Sequence, residues 1–179
     1  MRPLTDRPQA YGLVTRILHW GMALLFAAQF ASALAHLLLG RESGLRQLLW
    51  SYHAPLGITL FLLVLLRGLW GLWNLRRRPA HAGLLGRLAA LGHLALYGLM
   101  IVIPGLRLLD AAGGTRGLRY LGVEIFAPRA EAIGWMQAPA EWHGELGWLL
   151  AVLVLGHIAM ALGLHHLIRR DDTLRRMAG

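Results

Sequence analysis

Four long apolar stretches, broken by isolated histidines more than by charge, alternate with short polar or basic segments along the chain. They cover about residues 12–38, 53–73, 88–109 and 143–167. A helix needs about 20 largely apolar residues to cross a bilayer, and each stretch supplies them. The pattern predicts an all-α protein, an integral membrane four-helix bundle formed as a single domain over residues 1–179. The connections differ in character. Residues 40–52 are short and polar, and Arg76-Arg77-Arg78-Pro79 opens a basic loop that ends near Arg87. Residues 110–142 form the longest connection, with Gly113-Gly114, several prolines and no clear periodicity. That loop is expected to hold no more regular structure than a short interfacial helix.

Composition agrees with the pattern. The chain is 56% hydrophobic with a mean hydropathy of +0.51, and charged residues make up 15%, against roughly 25% in soluble domains. There is no cysteine. That excludes disulfides, iron–sulfur clusters, thiolate ligands and covalent haem attachment, so any haem must be held non-covalently, and histidine is the expected iron ligand. The segment 1–16 is polar, and the apolar run after it is longer than a signal-peptide core, so it reads as a retained membrane helix.

All 18 cationic residues are arginine, and the net charge is +9. Their placement argues for a membrane orientation and against nucleic acid. One side of the bundle collects Arg2, Arg7, Arg16, Arg76, Arg77, Arg78, Arg87, Arg169, Arg170, Arg175 and Arg176. The other collects Arg41, Arg46, Arg107, Arg116, Arg119 and Arg129 together with six of the nine acidic residues. The first side is expected to face the cytoplasm, with both termini on it; the two sides are called inner and outer below. Trp50, Trp135 and Trp142 fall at the outer boundary, and Trp70 and Trp73 at the inner one, as expected for interfacial belts.

Polar rings inside apolar helices are costly unless something binds them. His143 and His157 lie fourteen residues apart on one predicted helix, so they share a face, separated by roughly 21 Å of rise. They cannot hold one ion together. His53 opens the second helix at the outer side, at the depth of His143, while His19 lies in the inner leaflet near the depth of His157. The expected pairs are therefore His53 with His143 and His19 with His157. Facing helices of a bundle are where two axial ligands of a haem iron are usually supplied. These four histidines are the candidate metal ligands. Each has a small residue four positions on (Ala23, Gly57, Gly147 and Ala161) that would leave room for a flat macrocycle.

Arg67 lies inside the second helix, on the face of His53 and at the depth of His157. An intramembrane arginine usually has a partner. A haem propionate and a quinone headgroup are candidates; snorkelling to the inner headgroups is the alternative. His93, near the inner end of the third helix, joins it as a candidate cofactor-binding residue, and His165 and His166 sit at the inner end of the fourth. His36 lies off the face of His19, and His81 lies in the inner loop. No catalytic residue is assigned, and no phosphate loop, dinucleotide fingerprint or nucleophile–base pair is present.

Leu18-His19-Trp20, Tyr52-His53, Leu65-Leu66-Arg67, Leu91-Gly92-His93 with Tyr97 and Pro104, and above all Trp142-His143-Gly144-Glu145 through Gly156-His157, His165-His166, Arg170-Asp171 and Leu174-Arg175-Arg176-Met177 resemble the bacterial cytochrome b561 family over nearly the whole chain. The resemblance implies two non-covalent b-type haems with bis-histidine ligation, location in the bacterial inner membrane and electron exchange with ubiquinone. It further implies an outer-side donor, superoxide or a periplasmic partner, for an oxidoreductase of the superoxide:quinone kind. Related cytochromes serve as membrane relay subunits of hydrogenases and dehydrogenases, which is the alternative role. The outer arginines, among them Arg116, Arg119 and Arg129, would draw an anion to the outer site.

Overall fold

The computed structural model describes residues 3–78 and 83–178. His81 lies outside the described residues, as do Arg2 and Pro79. The chain forms α1 (Leu13–Leu38), α2 (Gly44–Ser51), α3 (His53–Trp73), α4 (Gly83–Gly113), a hairpin of β1 (Leu118–Tyr120) and β2 (Val123–Phe126), α5 (Gly134–Gln137), α6 (His143–Ala159) and α7 (Thr173–Ala178). A π-helical segment, Met160–Ile168, continues α6. Four segments are long and apolar enough to cross a membrane: Leu13–Leu38, Gly44–Trp73, Gly83–Gly113 and Gly134–Ile168. The structure is thus the expected all-α four-span bundle.

The lipid-facing surface explains why these sequences need a membrane. Leu24, Leu69, Leu94, Val152 and Leu155 are each 65% exposed or more. Such a surface is untenable in water and ordinary against acyl chains. Close backbone packing joins α1 to α3, α3 to α4 and α4 to α6. At mid-bundle, Leu96 and Ile103 of α4 and Leu150 of α6 are buried, with Phe26 and Phe30 of α1 packed against them. Leu150 stands seven residues from each α6 histidine, so this apolar layer separates the two ends of the bundle.

The inner end is closed by a polar cap. The buried Asp6 carboxylate accepts from the Gly12 amide at 2.8 Å, the Thr15 hydroxyl at 2.6 Å and Nε of Arg78 at 3.0 Å. Nε1 of Trp70 donates to the Thr15 hydroxyl at 2.8 Å. The C-terminal helix joins the cap: Arg16 donates to the carbonyls of Met177 and Ala178, and Trp20 to that of Met177. Burial in this cap holds the Tyr11 hydroxyl above its ordinary pKa, against the opposing pull of Arg78 and Arg176. Beyond it, His165 and Thr173 hydrogen-bond the half-buried Asp171 carboxylate and hold it well below the usual carboxylate range.

Three features depart from the sequence reading. Residues 40–52 contain α2, capped by the Ser43 hydroxyl. The third span is longer at both ends than residues 88–109. The long outer loop holds an antiparallel hairpin, with Leu118 opposite Phe126 and Tyr120 opposite Val123. Its two-residue turn, Leu121-Gly122, has φ of +50° and +84°, the signature of a type I′ turn normally written Asn-Gly. Leucine in the first position hides that signal. The hairpin is tied to α3 by a 2.9 Å hydrogen bond between the Tyr120 and Thr59 hydroxyls.

Candidate cofactor sites

Each end of the bundle brings two histidine rings together across helices, edge to face. At the outer end, His53 at the first position of α3 meets His143 at the first position of α6, with ring centroids 6.2 Å apart and planes at 72°. At the inner end, His19 of α1 meets His157 of α6 at 6.3 Å and 68°. All four rings are half-buried. No cluster of three or more histidine or acidic side chains able to hold a metal is present among the described residues.

The separation tests what could sit between the rings. Two metal–imidazole bonds of about 2 Å, each extended by the roughly 1.1 Å from nitrogen to ring centre, span about 6.2 Å. Both pairs match that length. Room for a flat group is also present: a Cβ on Gly147, one turn past His143, would meet nothing within 4 Å, and one on Gly57 only Nε2 of Gln29 at 3.4 Å. A b-type haem clasped by two imidazoles fits these residues.

The ring nitrogens show how the rings are held. His143 donates from Nδ1 to the Ile103 carbonyl at 3.0 Å, which leaves a lone pair on Nε2 able to bind a metal. Ile103 precedes Pro104, which removes one donor from the α4 ladder in this turn. Nδ1 of His53 lies 2.8 Å from the Ser32 hydroxyl, whose own hydrogen goes to the Gln29 carbonyl at 2.7 Å, so the ring is the donor here too. The Gln29 amide donates to Nε2 of His53 at 3.1 Å, while its own oxygen is buried without a partner. An iron on Nε2 would displace this amide.

The inner pair is held differently. Nη2 of Arg67 donates to Nδ1 of His19 at 2.9 Å, which places the ring proton on Nε2. In a neutral ring that bond and a metal on Nε2 exclude one another, so iron on Nε2 would displace the Arg67 guanidinium from Nδ1. The Arg67 guanidinium also lies over the Tyr97 ring, 5.6 Å from its centre. His93 donates from Nδ1 to the Ala89 carbonyl at 2.6 Å and packs edge-on against His157 at 5.3 Å. Arg67 therefore points into the inner site and not to the headgroups, and His93 borders the same site. His165 is bound to the Asp171 carboxylate at 2.8 Å.

The profile of the family described as Prokaryotic cytochrome b561 matches residues 10–179. The chain belongs to that family. A similar protein, "Cytochrome b561 homolog 2" of Escherichia coli (strain K12), is 32% identical over 178 residues, covering 98% of this chain and 94% of the relative. As a prokaryotic cytochrome b561, the protein is a multi-pass bacterial membrane protein whose family binds haem b and works in electron transfer.

Several residues around the cytochrome's sites escaped the sequence reading. Ser32 and Gln29 are polar residues within the apolar run of α1, and both reach the ring of His53. Trp50 was placed in the boundary belt and His36 off the ligand face. In the structure His36 stacks on Trp50 at 3.8 Å, and Trp50 stacks on His53 at 4.6 Å. This column of rings runs from the outer surface to the outer pair. A cavity of about 390 Å³ lies beside it, bordered by Ala28, Ser32, Leu56, Thr59, Tyr120 and Leu121.

Proposed function

We propose that this cytochrome is a single four-span domain in the bacterial inner membrane, with both termini cytoplasmic. It holds two haem b groups and carries electrons between an outer-side donor and ubiquinone. The observation that supports this best is the pair of ring separations, 6.2 and 6.3 Å, at two depths of one bundle. His53 and His143 would hold the outer haem, His19 and His157 the inner one, with Arg67 and His93 bordering the latter. The haems supply reversible one-electron chemistry. The protein's own part is to orient the imidazoles, keep water out of the layer around Leu150 and offer charge at the outer mouth. Superoxide as donor would lose one electron and leave as dioxygen, drawn in by outer arginines such as Arg116, Arg119 and Arg129. Ubiquinone as acceptor would take two electrons and two protons.

The second reading is a membrane relay subunit for a soluble hydrogenase or dehydrogenase. The hairpin supports it: Leu121 is 81% exposed and Val123 61%, on the outer face beside the stacked column. Turnover of superoxide and quinone by the purified chain alone separates the two readings. The test of ligation is the oxidised and reduced optical spectrum of detergent-purified protein with pyridine-haem quantitation. A b-type spectrum with about two haems per chain is expected. A colourless, folded preparation made with ample haem would overturn the proposal.

A further inference from the structure

The fourth span ends on a cationic step. His166 and Leu167 lie in the last turn of Gly134–Ile168, the segment long and apolar enough to cross a membrane. The chain then turns through residues 169–172 into α7. An open cleft of about 370 Å³ sits at this turn, bordered by His166, Leu167, Arg170 and Asp171. Its border is amphipathic. Leu167 and the adjoining Ile168 are 67% and 75% exposed, a surface suited to acyl chains, while Arg170 and His166 offer N–H donors. An amphiphile with an apolar chain and an anionic head matches both parts.

Charge pairing within the turn leaves Arg170 over. Asp171 lies 2.8 Å from Nδ1 of His165 and 3.8 Å from Nε of Arg169, and it accepts from the Thr173 amide at 3.0 Å. Asp172 pairs with Arg175 at 2.8 Å. Among the described residues no carboxylate pairs with Arg170. Its backbone has φ of +51°, in the left-handed region that glycine adopts freely and other residues adopt at a cost. Arginine at such a position, with its charge unspent at headgroup level, points to a ligand for the side chain. The planar guanidinium suits a phosphate, because its fork can meet two oxygens at once.

We propose that this cleft seats the phosphate of an acidic membrane lipid, with Arg170 and His166 holding the headgroup and Leu167 meeting the first carbons of a chain. The lipid sits at the joint between the end of the fourth span and α7. The last carbonyls of α7 hold Arg16 and Trp20 of α1, so a headgroup at the joint steadies the contact of the last span with the first. The proposal rests on the membrane reading and not on haem ligation.

The experiment titrates the detergent-purified protein with dioleoyl phosphatidylglycerol or dioleoyl phosphatidylcholine and counts bound lipid by native mass spectrometry. An arginine near a membrane surface favours acidic lipid about fivefold, so at least that preference is expected at the tightest site. Arg170→Gly removes the charge and eases the backbone together, and should erase the preference. Arg76→Gln, at another exposed inner arginine, should leave it intact. The acidic lipid should also raise the melting midpoint of the native protein, by mass action, and not that of Arg170→Gly. Equal affinity for the two lipids overturns the site, and so does an equal loss in Arg170→Gly and Arg76→Gln, which marks a diffuse basic field. Displacement of the acidic lipid by millimolar inorganic phosphate assigns the cleft to a free anion and overturns the lipid reading. Should Arg170→Gly fail to fold, His166→Leu decides: it should weaken the acidic lipid alone, and an unchanged preference counts against the site. Haem content is read separately, so failure here is distinct from failure of the ligation proposed above.

Discussion

The outer and inner ends of this bundle solve one problem with different materials. Both bring two imidazoles to nearly the same separation across helices. The outer end does so at helix starts, where His53 and His143 open α3 and α6, and steadies the rings with a hydroxyl, a carbonyl and a stacked tryptophan. The inner end does so within helices and surrounds its pair with a third histidine and a guanidinium. Ring spacing is thus set by the backbone frame. The polar surroundings of each pair differ, a hydroxyl and a backbone carbonyl at one end and a guanidinium and a third histidine at the other.

The sharpest break of the comparison is removal of single ligands. His143→Ala or His53→Ala should abolish the outer b-type component and leave the inner one, halving pyridine haemochrome content. His157→Ala or His19→Ala should do the reverse. Loss of both components from one substitution in a folded protein would show the sites to be interdependent. A smaller effect is expected where the ends meet. Leu150→Ala opens a cavity in the layer between them and should cost on the order of 3 kcal/mol, read as a lower unfolding midpoint in detergent, with both components retained.

The inner cap offers a test that should strike one end alone. Asp6→Asn removes the carboxylate that joins Gly12, Thr15 and Arg78. A cost of about 2 kcal/mol is expected, with the inner component becoming the more heat-labile of the two. The smallest effect belongs to Asp171. Its carboxyl is held below the ordinary range by His165 and Thr173, so its contribution is complete above the unfolded value of about 3.9 and fades as pH falls below it. The gap in melting midpoint between native protein and Asp171→Asn should be present at neutral pH and close under acid.

Much of this frame could be read before any coordinates. The four spans follow from run length. The pairing of His53 with His143 and His19 with His157 follows from depth, because helical rise converts sequence distance into position across the bilayer. What escaped was whatever depends on rotation about a helix or on loop geometry. The direction of His36 toward Trp50 cannot be had from depth, and the site carbonyl at Ile103 is a backbone atom with no side-chain identity to read. The hairpin was hidden because Leu121 occupies a turn position where asparagine or glycine would have announced it. Arg67 was recognisable as an outlier, but whether it met a headgroup or a ring turned on a side-chain path of a few ångströms.

The apolar layer around Leu150 has an electrical consequence. A charge moving between the two pairs crosses a low-dielectric slab within the bilayer, so the step feels the voltage of a living cell. A full crossing against that field costs roughly 2.3 kcal/mol per 100 mV for a unit charge, and this hop takes a fraction of it. For the proposed pair of haems, a voltage negative at the inner end should therefore hold back a hop toward that end, and an ionophore that collapses the voltage should release it.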